Sequence, residues 1–230
     1  SKNRENDWLS EHAEESGLLT APVRLPASVD MRESWWTVGD QKLTGSCVGW
    51  ATADSVLRWH FVKAGRIPSG QLLSVRFIWM ASKETDEFVS HPTSFIEGDG
   101  TSLKAALDIA RKYGCVLVNL MPFQPIVLSA LSVPAFYAIA AGMKIASYFN
   151  LSTQGLERTA NWKTWLAAKG PILTRLGVDQ TWDNATQTKG KLDVYKPNTV
   201  RGGHAVAIVG YTKTGRFIVR NSWGTGWGDK

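Results

Sequence analysis

The stretch Gly202-Gly203-His204-Ala205-Val206-Ala207-Ile208-Val209-Gly210-Tyr211, with Phe217-Ile218-Val219-Arg220-Asn221-Ser222-Trp223-Gly224-Thr225-Gly226-Trp227-Gly228 a few residues on, decides how this chain is read. Two apolar runs separated by a Gly-containing turn at 213–215 have the composition of an antiparallel hairpin. In a hairpin the start of the first strand faces the end of the second, so Asn221 comes beside His204. An Asn carbonyl that accepts one ring N–H fixes the tautomer and direction of an imidazole. The other ring nitrogen is then free to take a proton.

A donor for that proton lies upstream. Gln41-Lys42-Leu43-Thr44-Gly45-Ser46-Cys47 is a polar, Gly-containing loop that leads directly into an apolar run. Across 47–64, Val48, Ala51, Ser55, Trp59 and Val62 form one helical stripe and Trp50, Leu57 and Phe61 another, closed by Gly65 and Pro68. A helix apolar on nearly every side is predicted to be a buried central helix. Cys47 at its start faces unsatisfied backbone N–H groups and the positive end of the helix dipole, which favour thiolate over thiol.

Together these residues resemble the papain family of cysteine proteases: Gln-x5-Cys at Gln41 and Cys47, His-Ala-Val-x-x-Val-Gly-Tyr at His204 to Tyr211, and Asn-Ser-Trp-Gly-Thr-Gly-Trp-Gly at Asn221 to Gly228. The order Cys, His, Asn is the family's. The resemblance spans about 25–230 and extends to Leu25-Pro26-x-x-Val29-Asp30, to Gly170-Pro171 before a strand, and to Gly100 before a helix. It implies an α+β, papain-like two-lobe fold. A helical N-terminal lobe (about 25–130) and an antiparallel, β-barrel-like C-terminal lobe (about 131–230) would enclose the active-site cleft. It also implies Cys47 as nucleophile, His204 as its proton partner and Asn221 as the residue that orients His204. Gln41 and the backbone N–H of Cys47 would form the oxyanion hole. Trp223 would cover the His–Asn contact, Gly100 and Thr101 would lie on the cleft floor, and Ala205 and Arg175 would wall the main specificity pocket. The implied reaction is peptide hydrolysis through a thioester acyl-enzyme on a peptide or protein substrate, without metal or cofactor. The same triad could instead serve deamidation or acyl transfer, and loss of activity would leave a peptide-binding module.

The chain departs from the family pattern in several places. Thr44 stands where many members have a cysteine three residues before the nucleophile, and Val48 replaces the Trp that commonly follows it. Cys47 and His204 are 157 positions apart, beyond the roughly 130 to 150 of the family, so an insertion is expected within 128–156. Arg175 is unusual in a pocket that is generally apolar and would bias it toward acidic or polar side chains.

The remaining sequence is consistent with this frame. Helices are predicted after Ser74, carrying Phe77, Ile78, Met80 and Ala81, and over 101–113, ended by Gly114. After Pro134 strands are predicted at 144–151, 171–178, 205–211 and 217–220, with one short helix at 161–168. The 230 residues are 43% apolar and 20% charged, too apolar for a disordered chain. No uncharged apolar run approaches the ~18 to 20 residues that span a bilayer. The net charge of +6 comes from scattered Lys and Arg without the clustering that a nucleic-acid site requires. Of the two cysteines, Cys115 follows a helix end and precedes Val116-Leu117-Val118, the setting of an inert buried thiol, so no disulfide is expected. His12, His60 and His91 have no partner at metal-ligand spacing. Residues 1–24 form a polar leader in which Trp8, Leu18 and Leu19 are expected to dock in or beside the cleft, as a propeptide remnant would in a zymogen. Ser1 to Glu15 hold no apolar stretch like a signal peptide; export from a bacterial cell is nonetheless expected over cytoplasmic residence, and a monomer over an oligomer.

Overall fold

The computed structural model describes residue 17 and residues 24–86, 100–124, 133–151 and 156–229. The leader, apart from Gly17 and Arg24, lies outside these, and with it Trp8, His12, Leu18 and Leu19, as does His91.

Strand β1 (Val29–Asp30) precedes the central helix α1, which runs without a break through α-helical Cys47–Gly49, π-helical Trp50–Leu57 and α-helical Arg58–Lys63. Helices α2 (Val75–Thr85) and α3 (Leu103–Lys112) follow. Each starts at a serine cap: Phe77 N–H donates to Ser74 Oγ and Ala105 N–H to Ser102 Oγ. Gly114, at φ +94°, closes the end of α3 as its sequence position predicts. Helices α4 (Val133–Ala141) and α5 (Leu156–Ala168) precede strands β2 (Ile172–Val178), β3 (Gly202–Tyr211) and β4 (Phe217–Arg220).

β3 is the hub of the sheet. It pairs antiparallel with β2 from Ile172↔Ile208 to Val178↔Gly202, with β1 at Val29↔Tyr211 and Asp30↔Gly210, and with β4 at Ala207↔Arg220 and Tyr211↔Phe217. The β3–β4 hairpin is the one read from the sequence, with a bulge between Ile208 and Gly210. Gly210 has φ +155°, and a Cβ there would fall 2.1 Å from Val29 O, so β1 can add to the sheet only against glycine.

Two cores lie on either side of α1. Val48, Leu57, Phe61, Ile78, Ile109 and Val116 belong to the helical one, and Val56, Leu166, Ile172, Ile208, Val209 and Tyr211 to the one against the sheet. Packing crosses the sequence boundary expected near residue 130 in both directions. Phe136 and Ala140 of α4 pack in the helical core, whereas Val29 and Met31 pack in the sheet core.

Two local expectations change. Residues 144–151 are not a strand: Ile145 N–H bonds to Ala110 O, and the side chains of Ile145, Phe149 and Leu151 divide between the two cores. Their apolar spacing serves packing between layers, not a ladder. α4 was not anticipated, because Pro134 reads as a break; at the second position of a helix it costs no hydrogen bond.

Three buried charges join α1 to β4. Asp54 accepts from Arg58 Nη1 at 3.2 Å and from Arg220 Nη2 at 2.6 Å. Arg220 also donates to Trp36 O, Thr37 O and Ser55 Oγ, and Arg58 to Trp35 O, Ser69 O and Gln71 O. Removing one member of a buried ion cluster strands the others. Asp54→Ala is therefore expected to destabilise the protein by about 3–5 kcal/mol, read as a lowered urea midpoint at unchanged slope.

Candidate active site

Cys47 sits, half-buried, at the first residue of α1. The first turn of α1 packs against β3, and Cys47 lies against the core that contains Ala205, the residue after His204. The start of the helix thus sits on β3 beside the residue that follows His204. Ser46 is in the N-cap position, but its side chain caps nothing; its hydroxyl is 2.6 Å from Thr44 Oγ1. Among the described residues the N–H groups of the first turn have no side-chain acceptor.

His204 is buried, and its Nε2 lies 2.6 Å from Asn221 Oδ1. The tautomer follows from a second bond. Ser222 N–H, an obligate donor, points at the same Asn221 atom at 2.8 Å. The Asn221 atom must therefore be the carbonyl oxygen, so Nε2 of His204 carries a proton and Nδ1 of the neutral ring holds a lone pair. Burial pushes the His204 pKa below its ordinary value, and the Asn221 hydrogen bond opposes that shift. Trp223 lies over the ring with centroids 4.8 Å apart, Trp182 meets it edge-on at 5.9 Å, and Trp227 packs behind both. This aromatic wall excludes water from the His–Asn bond, which strengthens it.

Gln41 is buried and tied at every polar atom. Its N–H donates to Ser222 O at 2.8 Å, its Oε1 accepts from Ser222 Oγ at 2.7 Å, and its Nε2 donates to Thr44 O at 2.9 Å. One of the two Nε2 hydrogens is used in this way and one remains. Thr44 Oγ1 in turn donates to Gln41 O at 2.7 Å. On the other flank, Asp40 takes the backbone N–H and the ammonium of Lys42, whose backbone is left-handed at φ 55°. The side-chain hydrogen bond from Lys42 holds the Asp40 carboxyl below its usual range. Asp40 also bridges to Trp223. Ser222 therefore joins the loop of Gln41 to Asn221 through three hydrogen bonds.

The other expected residues fall as follows. Gly100 abuts the loop that leads to Cys47, with its Cβ position 3.6 Å from Gly45 O. Thr101 is buried, its hydroxyl donating to Asp86 Oδ2 at 2.8 Å. Ala205 is buried against the helical core, whereas Arg175, its cross-strand partner, is exposed. Cys115 is fully buried, and burial pushes its thiol up to about 12, which keeps it protonated and inert. Both cysteines are free. His60 is half-buried in α1 beside Trp59. The sequence reading missed the hydroxyls of Thr44, Ser46 and Ser222, and Trp182. Ser222 directly follows Asn221 and carried a positional signal; nothing marked Trp182, which reaches the site from the loop after β2.

A cysteine at a helix start without a side-chain cap, a strand-borne His–Asn pair and a glutamine tied to that pair through Ser222 make up a candidate site for thiol-dependent chemistry. The family profile described as papain family cysteine protease matches residues 25–230, so the chain belongs to the papain family of cysteine proteases. No curated protein has a matching sequence. Among solved structures the chain is similar to xylellain, a cysteine protease from Xylella fastidiosa, at 23% identity and TM-score 0.71, covering 92% of this chain and 81% of that one. It is similar to a digestive procathepsin L 3 of the Tenebrio molitor larval midgut at 18% identity and TM-score 0.61, covering 92% and 64%. It is also similar to proCathepsin B S9 from Trypanosoma congolense at 18% identity and TM-score 0.62, covering 99% and 76%. These likenesses are of fold.

Thr44→Val keeps the shape of the side chain and removes the hydroxyl that holds Gln41 O and Ser46 Oγ. It is expected to lower kcat more than it changes KM, by roughly 5- to 10-fold for ~1 kcal/mol of lost hydrogen bonding. Steady-state hydrolysis of a peptide substrate checks it.

Proposed function

We propose that the protein hydrolyses peptide bonds with Cys47 as nucleophile, His204 as acid–base and Asn221 as its orienting partner. The observation that carries this reading is the His204–Asn221 bond, whose second acceptor role toward Ser222 assigns the ring tautomer. With Nε2–H committed to Asn221, Nδ1 is the nitrogen that takes the Cys47 proton. The thiolate adds to the substrate carbonyl carbon, and the carbonyl oxygen becomes negative. The Cys47 backbone N–H and the remaining Gln41 Nε2 hydrogen are the donors that suit that oxygen. His204 returns its proton to the departing amine, which leaves a thioester on Cys47. Water then attacks the thioester, gives a proton to His204, and the thiol is restored.

Gly100, beside the nucleophile loop, suits close approach of an extended substrate backbone, and Ala205 and Trp223 suit the walls nearest the scissile bond. Thr101 would contribute through its backbone only, since its side chain is bonded to Asp86.

Residues 1–24 are proposed to act as an inhibitory leader. The support is their position before the matched region and the likeness of the fold to two proteins named as precursors.

Cys47→Ala is expected to abolish turnover, a loss on the order of 10⁴-fold or more as for removal of a catalytic nucleophile, with an unchanged circular dichroism spectrum. In the unmodified protein, a thiol-reactive epoxide should add one adduct at Cys47 by intact mass. Absence of that adduct together with absence of peptide cleavage would sink the reading; an adduct without cleavage would point to acyl transfer or deamidation. Deleting residues 1–24 should raise the hydrolysis rate and tighten inhibitor binding, and identical constants for the two forms would refute the inhibitory role.

A further inference from the structure

Cross-strand partners in an antiparallel pair lie on the same face. The register of β2 and β3 places Leu173 opposite Ala207, Arg175 opposite Ala205 and Gly177 opposite Gly203. Packing identifies where that face looks. Ala205 belongs to the core that includes Val48, Leu173 packs against that core and against the sheet core of Ala207, and Cys47 packs against the first of them. The face is therefore the one turned toward the nucleophile end of α1. It is covered at Leu173 and opens to solvent at Arg175.

The side chain of Arg175 does not leave this surface. It lies across Gly203, where a Cβ would fall 1.8 Å from its Nε and 2.0 Å from its Cζ. The guanidinium occupies the place a side chain at 203 would take, one residue from His204. One pair further out, the Cβ position of Gly177 has Tyr195 Oη and a Val200 methyl carbon at 3.5 Å. Both of those residues are exposed. Two facing glycines thus make a shallow bed in which a cation lies, edged by a phenol and an isopropyl group.

The charge of Arg175 is unspent. Arg32, Arg58, Arg111, Arg201, Arg216 and Arg220 each pair with an aspartate, whereas Arg175 makes no ion pair among the described residues. A guanidinium held flat over glycine presents its donors to whatever lies above the sheet, and its planar fork matches a carboxylate. Adjacent strands are about 5 Å apart and an extended peptide advances about 3.4 Å per residue. A substrate residue within one to three positions of the scissile bond can therefore bring its side chain to Arg175.

We propose that Arg175 is a specificity-determining residue that receives an acidic substrate side chain near the scissile bond, an inference that rests on the triad reading above. The test is cleavage of a mixed peptide library by the full chain, by Arg175→Glu and by Arg175→Gln, with epoxide titration of Cys47 counting the folded enzyme in each preparation. The unmodified protein should favour Asp or Glu at one fixed position relative to the cut, by about fivefold at low salt and less at high salt, as for a partly exposed ion pair. Arg175→Gln should flatten that position, and Arg175→Glu should turn it toward Lys and Arg, leaving the other positions as they were. Cleavage without acid preference, or the same profile in all three proteins, overturns the assignment of Arg175 while the peptidase reading stands. No cleavage and no Cys47 adduct in the unmodified protein overturns both.

Discussion

Asp54 carries one negative charge between two buried guanidiniums, and the seating of β4, the strand that ends next to Asn221, against the helix that begins at Cys47 rests on where those three groups are tethered. Asp54 is on α1, seven residues after Cys47, and Arg220 is the residue before Asn221. A charge cluster with net +1 is costly to bury. Here backbone carbonyls of Trp35, Trp36, Thr37, Ser69 and Gln71 and the Ser55 hydroxyl accept further donors, and Arg220 lies 4.5 Å over the Trp36 ring. Burial pushes the Arg220 pKa below its ordinary value and the Asp54 charge opposes that. Every acceptor in this set is on or next to the segments that frame α1. A shift of β4 along α1 would break several charge-assisted bonds at once, so the strand end that carries Asn221 has one register against the helix.

The loop before Cys47 is held by a different device. Where many relatives use a cysteine, Thr44 supplies a hydroxyl that closes on Gln41 O and Ser46 Oγ, while Ser222 closes on Gln41 from the sheet side. A disulfide contributes about 2–4 kcal/mol mainly by restricting the unfolded chain. Hydrogen bonds contribute about 1 kcal/mol each, so the four or so bonds around Gln41 reach a similar total by fixing the folded loop instead. The consequence is functional as well as energetic. The loop's geometry does not depend on an oxidising environment, and the one half-buried thiol is not exposed to exchange with a neighbouring disulfide.

How much of this was legible follows the range of the interactions. The His204–Asn221 juxtaposition could be read because a hairpin makes it local: seventeen residues apart in sequence and bonded through adjacent strands. The central helix could be read because apolar residues occupy every side of it, although its π-helical middle could not, since hydrophobic spacing does not separate a wider turn from an ordinary one. The pairing of Asp54 with Arg220 spans 166 positions and leaves no periodic trace. In the sequence Asp54 is a charge inside an apolar helix and nothing more. Residues 144–151 failed for the opposite reason: alternating apolar residues are as compatible with a segment wedged between two cores as with a strand. Thr101 lay where expected along the chain but faces inward, because a buried carboxylate at Asp86 competes for its hydroxyl.

The hydroxyl bond between Ser46 and Thr44 connects the loop to the chemistry. A serine at an N-cap ordinarily accepts a first-turn N–H and contributes about 1 kcal/mol to the helix. Ser46 forgoes that: its backbone, at φ −85° and ψ 11°, is not in the extended conformation of a capping residue, and its hydroxyl is turned to Thr44, whose own hydrogen goes to Gln41 O. The stability forgone leaves the first-turn donors of α1 open at the proposed oxyanion position, in a loop that the same bond makes rigid. His204 is arranged differently. Burial disfavours its cation and Asn221 partly offsets that, a balance that the proposed proton transfer from Cys47 would draw on. When the ring is protonated, the Asn221 carbonyl stabilises the charge and the indole wall keeps competing water away. At the helix start a favourable cap is withheld, whereas at His204 one ring nitrogen is bonded and the other is left for the proposed proton transfer.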